Sequence, residues 1–287
     1  MMWLPEELEG VRCDFCGSEE ASEKIVRLDG MQVIECAVCG LAYLNPRPKR
    51  EVIHELYQED YFNGVKSRRG EGGLMLDSGE RTAAVRKLEI VSKKIGGIDG
   101  KFVLEIGCAT GDLLSVMKSM GAKVAGLEIS SYAAKIARER SLPVMTGTID
   151  SIADRWSFDV IVAFELIEHV TSPSKFLNDV AGLLRDGGYL AISTPNYACA
   201  HRFGKDWFGF RASYEHLFFF TIDVLKRMAV RSGLTLKYWE TSSFSGESKY
   251  RPAKRFFKRG EIYLPYGHGH NVVMLFMKDQ QHHERTL

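Results

Sequence analysis

The sequence has no run of about 18 apolar residues, the minimum for a helix that crosses a membrane. Its first ten residues, MMWLPEELEG, are acidic and lack the basic stretch and apolar core of a secretory leader. No internal repeat is evident. We therefore expect no membrane partner and a cytoplasmic protein.

An excess of charge of one sign is also missing. The formal net charge is +1, from 38 Lys and Arg against 37 Asp and Glu, so the chain as a whole has no attraction to nucleic acid or anionic lipid. Residues 1–60 hold six basic residues against thirteen acidic ones, the wrong sign for a surface that binds phosphates. We expect a small-molecule partner rather than nucleic acid.

Cysteine is scarce, yet four of the six cysteines form two C-x-x-C pairs, Cys13 with Cys16 and Cys36 with Cys39. Nineteen residues separate the pairs, and a glycine follows each second cysteine. Both features are typical of four-cysteine zinc sites, whose ligand turns are tight. A redox pair or buried free thiols are the alternatives. We interpret residues 1–50 as a zinc ribbon. Its role is either to stabilise the fold or to form a wall of the substrate site.

Glycine and proline divide the remaining chain. Residues 51–80 combine a short amphipathic helix with a glycine-rich stretch that is typical of a flexible lid. Over residues 81–280, short β-branched runs alternate with helical periodicity, which predicts an α/β fold with a doubly wound, Rossmann-like parallel sheet. Residues 243–270 are a basic insertion between the last two strands, and residues 281–287 are a polar tail.

The first strand–turn–helix unit, VLEIGCATG, contains Gly107 and Gly111, which let the backbone approach a ligand closely. Their spacing lacks the middle glycine of a dinucleotide site, and no Walker lysine follows, so a mononucleoside without pyrophosphate fits better. Glu128 ends the second strand, where a carboxylate can accept hydrogen bonds from both ribose hydroxyls. Asp150 follows the third strand and is placed to reach the adenine edge.

The ordered motifs VLEIGCATGDLL, VAGLEIS, FDVIVAFELIEHV and LLRDGGYLAISTPN resemble class I S-adenosylmethionine-dependent methyltransferases over roughly residues 80–280. The resemblance implies the strand order 3-2-1-4-5-7-6, with the last strand antiparallel, and S-adenosylmethionine as the cofactor. The cofactor-binding residues are then Glu105, Gly107, Gly111 and Asp112 at the methionine end, Glu128 at the ribose, Ile129, Ile149 and Asp150 around the base, and Phe164. Another nucleotide-binding α/β protein is the alternative.

The N-terminal pattern CDFCG…CAVCGLAYLNPRP…LYQEDYF resembles the zinc-bearing leader of methyltransferases that modify bacterial sugars and secondary metabolites. The longer sugar C-methyltransferases of that family carry a further large C-terminal domain, which this chain lacks. We therefore expect an oxygen acceptor rather than a carbon acceptor.

The fourth strand runs into FELIEHV, which places three ionisable side chains at the edge where ligands bind in open α/β sheets. If the chain turns helical there, Glu165, Glu168 and His169 share one face and suit Mg²⁺ or Mn²⁺. Glu-x-x-Glu-His is similar to the motif of ubiquinone-pathway O-methyltransferases and small-RNA 2′-O-methyltransferases, in which a distant His, here His216, completes a metal site. In class I methyltransferases without a metal, the His instead packs or acts as a base.

Two segments supply candidate substrate residues. The aromatic stretch 203–220 contributes Trp207, Arg211 and Tyr214, and core packing is the alternative role of its aromatic rings. The basic insertion contributes Arg251 and Arg255 within a run that has no acidic residue. That run predicts a clamp for an anionic group, such as the diphosphate of a nucleotide-linked sugar, and a solvated charged surface is the alternative.

Together these patterns predict an S-adenosylmethionine-dependent methyltransferase that methylates an oxygen of a sugar or another small biosynthetic intermediate, with His169 as base or metal ligand. The alternatives are an RNA 2′-O-methyltransferase, a sugar C- or N-methyltransferase, and a non-catalytic cofactor-binding scaffold.

Overall fold

The architecture comes from a computed structural model. The residues that it describes are 3–57, 59–62, 66–67, 70–71, 78–152, 156–211, 215–244, 256–258, 261–264 and 269–280. Most of the predicted glycine-rich lid therefore lies outside the described residues.

The N-terminal strands form small antiparallel sheets beside the cysteine pairs. They are β1 (Leu8–Glu9), β2 (Ala21–Val26), β3 (Gln32–Cys36), β4 (Ala42–Leu44) and β5 (Arg47–Pro48). Strand β3 pairs with β2 on one side and β4 on the other, and β1 pairs with β5. Val33, Leu41 and Tyr43 are buried beneath this sheet.

The connecting segment contains α1 (Arg50–His54), α2 (Glu59–Phe62), β6 (Lys66–Ser67) and β7 (Gly70–Glu71). The single amphipathic helix predicted at its start is therefore two short helices. Each buries one apolar side chain, Ile53 in α1 and Phe62 in α2.

Strands and helices alternate from residue 78 onward. The elements are α3 (Ser78–Lys94), β8 (Phe102–Ile106), α4 (Asp112–Ser119), β9 (Lys123–Glu128), α5 (Ser131–Glu139), β10 (Val144–Thr146), β11 (Phe158–Phe164), α6 (Pro173–Leu183), β12 (Leu184–Pro195), α7 (Ala200–Phe203), α8 (Phe208–Arg211), β13 (Phe218–Phe219), α9 (Ile222–Arg231), β14 (Leu234–Phe244), β15 (Phe256–Lys258), β16 (Glu261–Leu264) and β17 (Asn271–Lys278).

Hydroxyl side chains fix where three of these helices begin. Ser130, Ser172 and Thr221 each accept a hydrogen bond from a backbone amide three residues on, at the first turns of α5, α6 and α9. Such caps satisfy amides that have no partner within the helix. Helix α6 also begins with Pro173, whose fixed φ suits a first turn.

The central sheet has the order β10-β9-β8-β11-β12-β17-β14-β16-β15. Its first seven strands confirm the predicted order 3-2-1-4-5-7-6, and β17 pairs antiparallel with β12 as expected. Strands β15 and β16 lie within the predicted basic insertion and extend the sheet beyond β14 by antiparallel pairing.

The central strand β11 is buried on both faces of the sheet. Along β11, Ile161 and Ala163 belong to one apolar cluster, whereas Val160 and Val162 belong to the other, because side chains alternate along a strand. The first cluster also includes Val33 and Tyr43. The apolar core of the cysteine-rich region is thus continuous with one face of the central sheet.

None of the helices in the described part of the chain has the length and apolarity that crossing a membrane requires.

Candidate active site

A cavity of about 530 Å³ opens at the carboxyl ends of the parallel strands, within the usual size range of small-ligand sites. The turn after β8 and the ends of β9 and β11 form its floor, and α1, α2 and α3 contribute further walls. Of the predicted cofactor residues, Glu105, Gly107, Asp112, Glu128, Ile129, Ile149, Asp150 and Phe164 line it.

The two predicted glycines have different roles. Gly107 lines the cavity with a φ of +76°, and a Cβ there would lie 3.0 Å from Leu166 Cδ1. Gly111, with a φ of +82°, is not among the lining residues, and a Cβ there would lie 2.4 Å from Leu142 Cδ1. The positive φ and the packing at the start of α4 therefore favour glycine at position 111, and the contact of Gly111 with a cofactor stays a prediction.

Glu128 is a buried carboxylate held by two backbone amides. Its Oε2 accepts from Ala109 N at 2.9 Å, and its Oε1 accepts from Ser130 N at 2.8 Å. Burial raises the pKa of Glu128, and the hydrogen bonds from backbone amides oppose this shift. Each carboxylate oxygen keeps a second lone pair, so the group can accept from a vicinal diol without losing its amides.

Glu105 is buried beside Glu128 and is incompletely satisfied. Its Oε2 has no hydrogen-bond partner among the described residues. Burial, and then the charges of Glu128 and Asp112, raise the pKa of Glu105 to about 8. A buried carboxyl with an unpaired oxygen suits a cationic ligand group, such as the amino group of an amino acid.

The two aspartates at the cavity are already paired with cations. Asp112 contacts Arg140 Nη2 at 3.1 Å. Asp150 is hydrogen-bonded to Lys175 and lies 3.7 Å from Arg50 Nη2, and the bond from Lys175 is the main cause of its lowered pKa. Their carboxylates are thus less available to a ligand than that of Glu105.

The predicted helical turn after β11 does not form. Glu165 adopts a φ of +49°, and residues 167–169 make a turn. Glu165 accepts hydrogen bonds from Lys87 and Ser193, each at 2.6 Å, and from Asn271 at 3.0 Å. Lys87 in particular lowers the pKa of Glu165 against the effect of burial. Glu165 is not in the group formed by Glu168, His169 and His216, and its place in a metal site stays a prediction.

Glu168, His169 and His216 do come together. One ligand atom from each lies within 4.8 Å of the other two. Glu168 is 1% exposed, and neither of its carboxylate oxygens has a hydrogen-bond partner among the described residues. Burial, and then the charge of Glu165, raise the pKa of Glu168 well above its usual range. Only His169 of the three lines the cavity, whereas the other two lie behind it.

The tautomer of His216 follows from its backbone contact. His216 Nδ1 lies 2.9 Å from the carbonyl oxygen of Gly209, so Nδ1 carries the proton and Nε2 keeps its lone pair. The same backbone anchor orients histidines that bind metals. Burial lowers the pKa of His216 to about 4 and that of His169 to about 3, so both rings are neutral at neutral pH.

The sequence reasoning missed a polar cluster around His169. Tyr57 Oη lies 3.4 Å from His169 Nδ1 and 3.4 Å from Glu215 Oε2, which also accepts from Tyr61 at 3.0 Å. Burial raises the pKa of Glu215 to about 7. The i, i+4 spacing of the two tyrosines and the position of Glu215 before His216 could each be noticed in the sequence. No sequence pattern, however, predicts that these distant segments contact each other.

Of the predicted substrate residues, only Trp207 has a side chain that the structure describes. Trp207 is fully buried and makes edge contacts with Tyr197, Phe210 and Phe219, so it is a core residue, as the alternative interpretation held. Tyr214, Arg251 and Arg255 lie outside the described residues, and so does the side chain of Arg211.

The four paired cysteines form one cluster. Cys13 Sγ lies 3.4 Å from Cys39 Sγ, Cys16 Sγ lies 3.5 Å from Cys36 Sγ, and all four sulfurs lie within 4.8 Å of one another. Tetrahedral zinc with Zn–S bonds of about 2.3 Å would hold sulfurs about 3.8 Å apart, so the cluster fits this ion. The glycine after each pair has a positive φ, and its amide donates to the first cysteine of that pair.

The strand order, the glycine turn and the buried carboxylates at a nucleoside-sized cavity define a class I S-adenosylmethionine-dependent methyltransferase. Comparison with known families agrees, because the family described as a methyltransferase domain matches residues 79–238, more than half of the chain. The chain belongs to this methyltransferase family.

Curated relatives match a shorter stretch. The ubiquinone biosynthesis O-methyltransferase of Bradyrhizobium sp. (strain ORS 278) is 36% identical over 122 residues, which is 40% of this chain and 48% of that protein. The same enzyme of Photorhabdus laumondii is 33% identical over 118 residues, 38% of this chain and 49% of that protein. The chain spans about half the length of the curated relatives it matches.

Solved structures share the fold. Magnesium protoporphyrin IX methyltransferase from Synechocystis PCC 6803 with bound SAH has a TM-score of 0.56 and 12% identity, over 80% of this chain and all of that one. An S-adenosylmethionine-dependent methyltransferase from Mesorhizobium loti has a TM-score of 0.50 and 16% identity, over 67% and 97%.

Proposed function

We propose that this methyltransferase transfers the methyl group of S-adenosylmethionine to a hydroxyl oxygen of a small biosynthetic intermediate. The observation that carries the proposal is the buried Glu168 carboxyl group, which has no hydrogen bond of good geometry among the described residues and lies close to the nitrogens of His169 and His216. The names of the O-methyltransferase relatives agree with an oxygen acceptor.

In this proposal the cofactor lies along the floor of the cavity. Glu128 accepts from the ribose hydroxyls, while the unpaired Oε2 of Glu105 faces the amino group of the methionine end. Gly107 leaves room for the methionine end, and Ile129, Ile149 and Phe164 supply apolar contacts for the base. When bound, S-adenosylmethionine supplies an electrophilic methyl carbon, and the protein aligns the acceptor and excludes water.

Glu168, His169 and His216 are the residues that would hold a divalent ion. A carboxylate with two neutral imidazoles is a common set of protein ligands, and it leaves positions open for a substrate hydroxyl. Such an ion acts as a Lewis acid and lowers the pKa of a bound hydroxyl. Glu165 is excluded from this set because Lys87, Ser193 and Asn271 already hold its carboxylate. If no ion binds, His169 is the candidate general base because it alone of the three lines the cavity.

The acceptor side of the cavity is aromatic and polar. Tyr57 and Tyr61 stand edge to face, with ring centroids 5.0 Å apart, and Lys87 lies on the wall formed by α3. Aromatic rings favour a cyclic acceptor, and hydroxyl and ammonium groups favour one with several oxygens. A sugar and an oxygenated aromatic ring both meet these requirements. That the acceptor is a nucleotide-linked sugar remains a prediction, which rests on the basic insertion, residues 243–270.

We further propose that Cys13, Cys16, Cys36 and Cys39 bind one structural zinc ion. With four thiolate ligands such a site has no open position, so its contribution is to folding rather than to chemistry. Metal analysis of the purified protein by mass spectrometry is expected to give one zinc per chain.

The test of function is a methyl-transfer assay with radiolabelled S-adenosylmethionine. Acceptor pools of catechols, nucleotide-linked sugars and short RNAs are each assayed with Mg²⁺, with Mn²⁺ and with EDTA. We expect label in an oxygen of a small acceptor and a loss of transfer with EDTA that added Mn²⁺ restores. Label in RNA alone, or none in any pool despite cofactor binding, would refute the proposal.

A further inference from the structure

The cysteine-rich region, residues 3–48, shares a sheet with the candidate active site. Strand β13 is the fourth strand of the sheet formed by β2, β3 and β4, and its Phe218 and Phe219 pair antiparallel with Tyr43 and Ala42 of β4. Just before β13, the amide of Leu44 donates to the carbonyl of Leu217 at 2.9 Å. The segment that carries His216 is therefore an extension of the ribbon.

The same segment is bonded to the turn that carries the other candidate ligands. The amides of Leu217 and Phe218 both donate to the carbonyl oxygen of Glu168, at 2.8 and 3.2 Å. His216 immediately precedes them, and its ring lies against His169 with centroids 4.8 Å apart. Residues 216–218 thus connect the ribbon to Glu168 and His169.

Arg27 makes a side-chain contact across this junction. It follows β2, its side chain is completely buried, and its Nη1 donates to the carbonyl oxygen of His216 at 3.3 Å. Asp29 neutralises it from the same turn, accepting from Arg27 Nε at 3.1 Å and from the amide of Met31 at 3.1 Å. A planar guanidinium in this setting can orient a backbone carbonyl more rigidly than an ammonium can.

The cost of burying Arg27 and Asp29 indicates that this pair positions a neighbouring group rather than stabilises the fold. Burying two charges is costly, and a buried ion pair seldom stabilises a fold more than apolar residues of the same volume would. Arg27 and Asp29 lie in a ribbon turn, more than 180 residues from His216 in sequence. Besides ordering its own turn, the pair holds the backbone of His216 in a defined position.

A second contact from the ribbon reaches the chain just after His169. Asp14, between the first two cysteines, accepts from Ser172 Oγ at 2.6 Å and from the amide of Ser174 at 2.7 Å. Arg47 Nη1 also donates to the carbonyl of Thr171 at 2.6 Å. The ribbon therefore holds both chain segments that supply the Glu168, His169 and His216 cluster.

We propose that the ribbon is a structural part of the methyl-transfer site and that Arg27 is the positioning residue that holds His216 in register with Glu168 and His169. The inference rests on the proposed function for its effect on catalysis, but not for its effect on structure. The ribbon then helps to position active-site residues. A zinc site that only stabilises the fold, or a module that only binds a partner, would not have this role.

The test compares three variants of the full, zinc-loaded chain. Arg27→Met removes the guanidinium, Arg27→Lys keeps the charge without the planar fork, and Arg12→Met removes an exposed ribbon arginine that pairs only with Glu19 among the described residues. Amide hydrogen exchange of Leu217 and Phe218 is measured, together with kcat, zinc content and the affinity for S-adenosylmethionine.

We expect Arg27→Met to raise exchange at both amides by at least about tenfold and to lower kcat by about 10- to 100-fold. Zinc content and cofactor affinity stay unchanged, because the cofactor floor lies on β8 and β9. Arg27→Lys recovers part of both effects, and Arg12→Met has neither. Unchanged protection of Leu217 and Phe218 in folded Arg27→Met protein would overturn the proposal.

Removal of zinc from the wild-type chain gives a second test if Arg27→Met does not fold. We expect zinc removal by a chelator, followed by restoration of Mn²⁺, to expose the amides of Leu217 and Phe218 while those of β8 and β9 stay protected. Full protection of Leu217 and Phe218 would overturn the proposal. If exchange rises as expected but wild-type protein methylates no hydroxyl, the positioning stands and the proposed function fails.

Discussion

The two halves of the cavity are built in different ways. The main polar and glycine positions of the cofactor half come from one continuous stretch, β8 to β9, in which Glu105, Gly107 and Glu128 lie within 24 residues. The acceptor half brings together Tyr57, Glu168, His169 and His216 from three distant segments, one of them held by the ribbon. We infer that the first half depends on local structure and the second on tertiary contacts.

The largest effect that this comparison predicts is confined to the acceptor half. Glu168→Gln keeps the shape of the side chain but can no longer ionise to bind a divalent ion, so we expect kcat to fall by about 100- to 10,000-fold. Steady-state kinetics would measure the fall, and calorimetry should show unchanged affinity for S-adenosylmethionine. The control is Glu139→Gln on the exposed side of α5. Full activity of Glu168→Gln in the presence of EDTA would contradict the prediction.

The next effect is confined to the cofactor half. Glu128→Gln replaces a carboxylate acceptor with an amide that has one acceptor oxygen, so we expect the Kd for S-adenosylmethionine to rise by about 10- to 100-fold. Calorimetry measures this Kd, and kcat at saturating cofactor should stay near the wild-type value. Asp112→Asn serves as the comparison, since Arg140 already holds that carboxylate and the change should be smaller. An equal loss in both variants would contradict the distinct role of Glu128.

A pH effect should also separate the halves. The raised pKa of Glu105, about 8 in the free protein, means that its carboxyl keeps a proton at neutral pH. A bound ammonium group favours the ionised form, so binding should release a proton. Affinity should then fall by up to about tenfold per pH unit between about pH 7.5 and 6, where the cofactor amine stays charged. Calorimetry in phosphate and Tris buffers measures the release, which Glu105→Gln should abolish. Identical heats of binding in the two buffers would show that no proton is released and would refute the prediction.

The smallest effect concerns the contact between α1–α2 and the acceptor half. Tyr57→Phe removes a hydroxyl 3.4 Å from both His169 Nδ1 and Glu215 Oε2, and the loss of one such hydrogen bond should lower kcat by about 2- to 10-fold. Kinetics on the acceptor measures the change. A weakened cofactor affinity with unchanged kcat would place Tyr57 in the other half.

The same contrast explains how much of the molecule could be predicted from sequence. The alternation of strands and helices follows from periodicity, and the position of Glu128 follows from its spacing after Gly107, both of which are local. The strand order was implied by the family resemblance of the ordered motifs. The left-handed Glu165 could not be predicted, because its conformation depends on Lys87 and Asn271, which lie distant in sequence. Trp207 was ambiguous for a similar reason, since only its packing partners distinguish core from site.

The ribbon shows most clearly which structural features sequence patterns can predict and which they cannot. The cysteine spacing predicts a metal cluster, and the sulfurs do converge. The pairing of β4 with β13, and the contact between Arg27 and His216, leave no trace in spacing or composition. Long-range backbone pairing of this kind is decided by the tertiary fold.

The most direct test of the account is a crystal structure of the protein with S-adenosylhomocysteine and manganese, collected at a wavelength where manganese scatters anomalously. We predict one anomalous peak bounded by Glu168, His169 and His216, with Glu165 still bonded to Lys87. A structure in which the nucleoside is bound, no peak appears there, and Glu168 is hydrogen-bonded as a neutral acid would contradict the account.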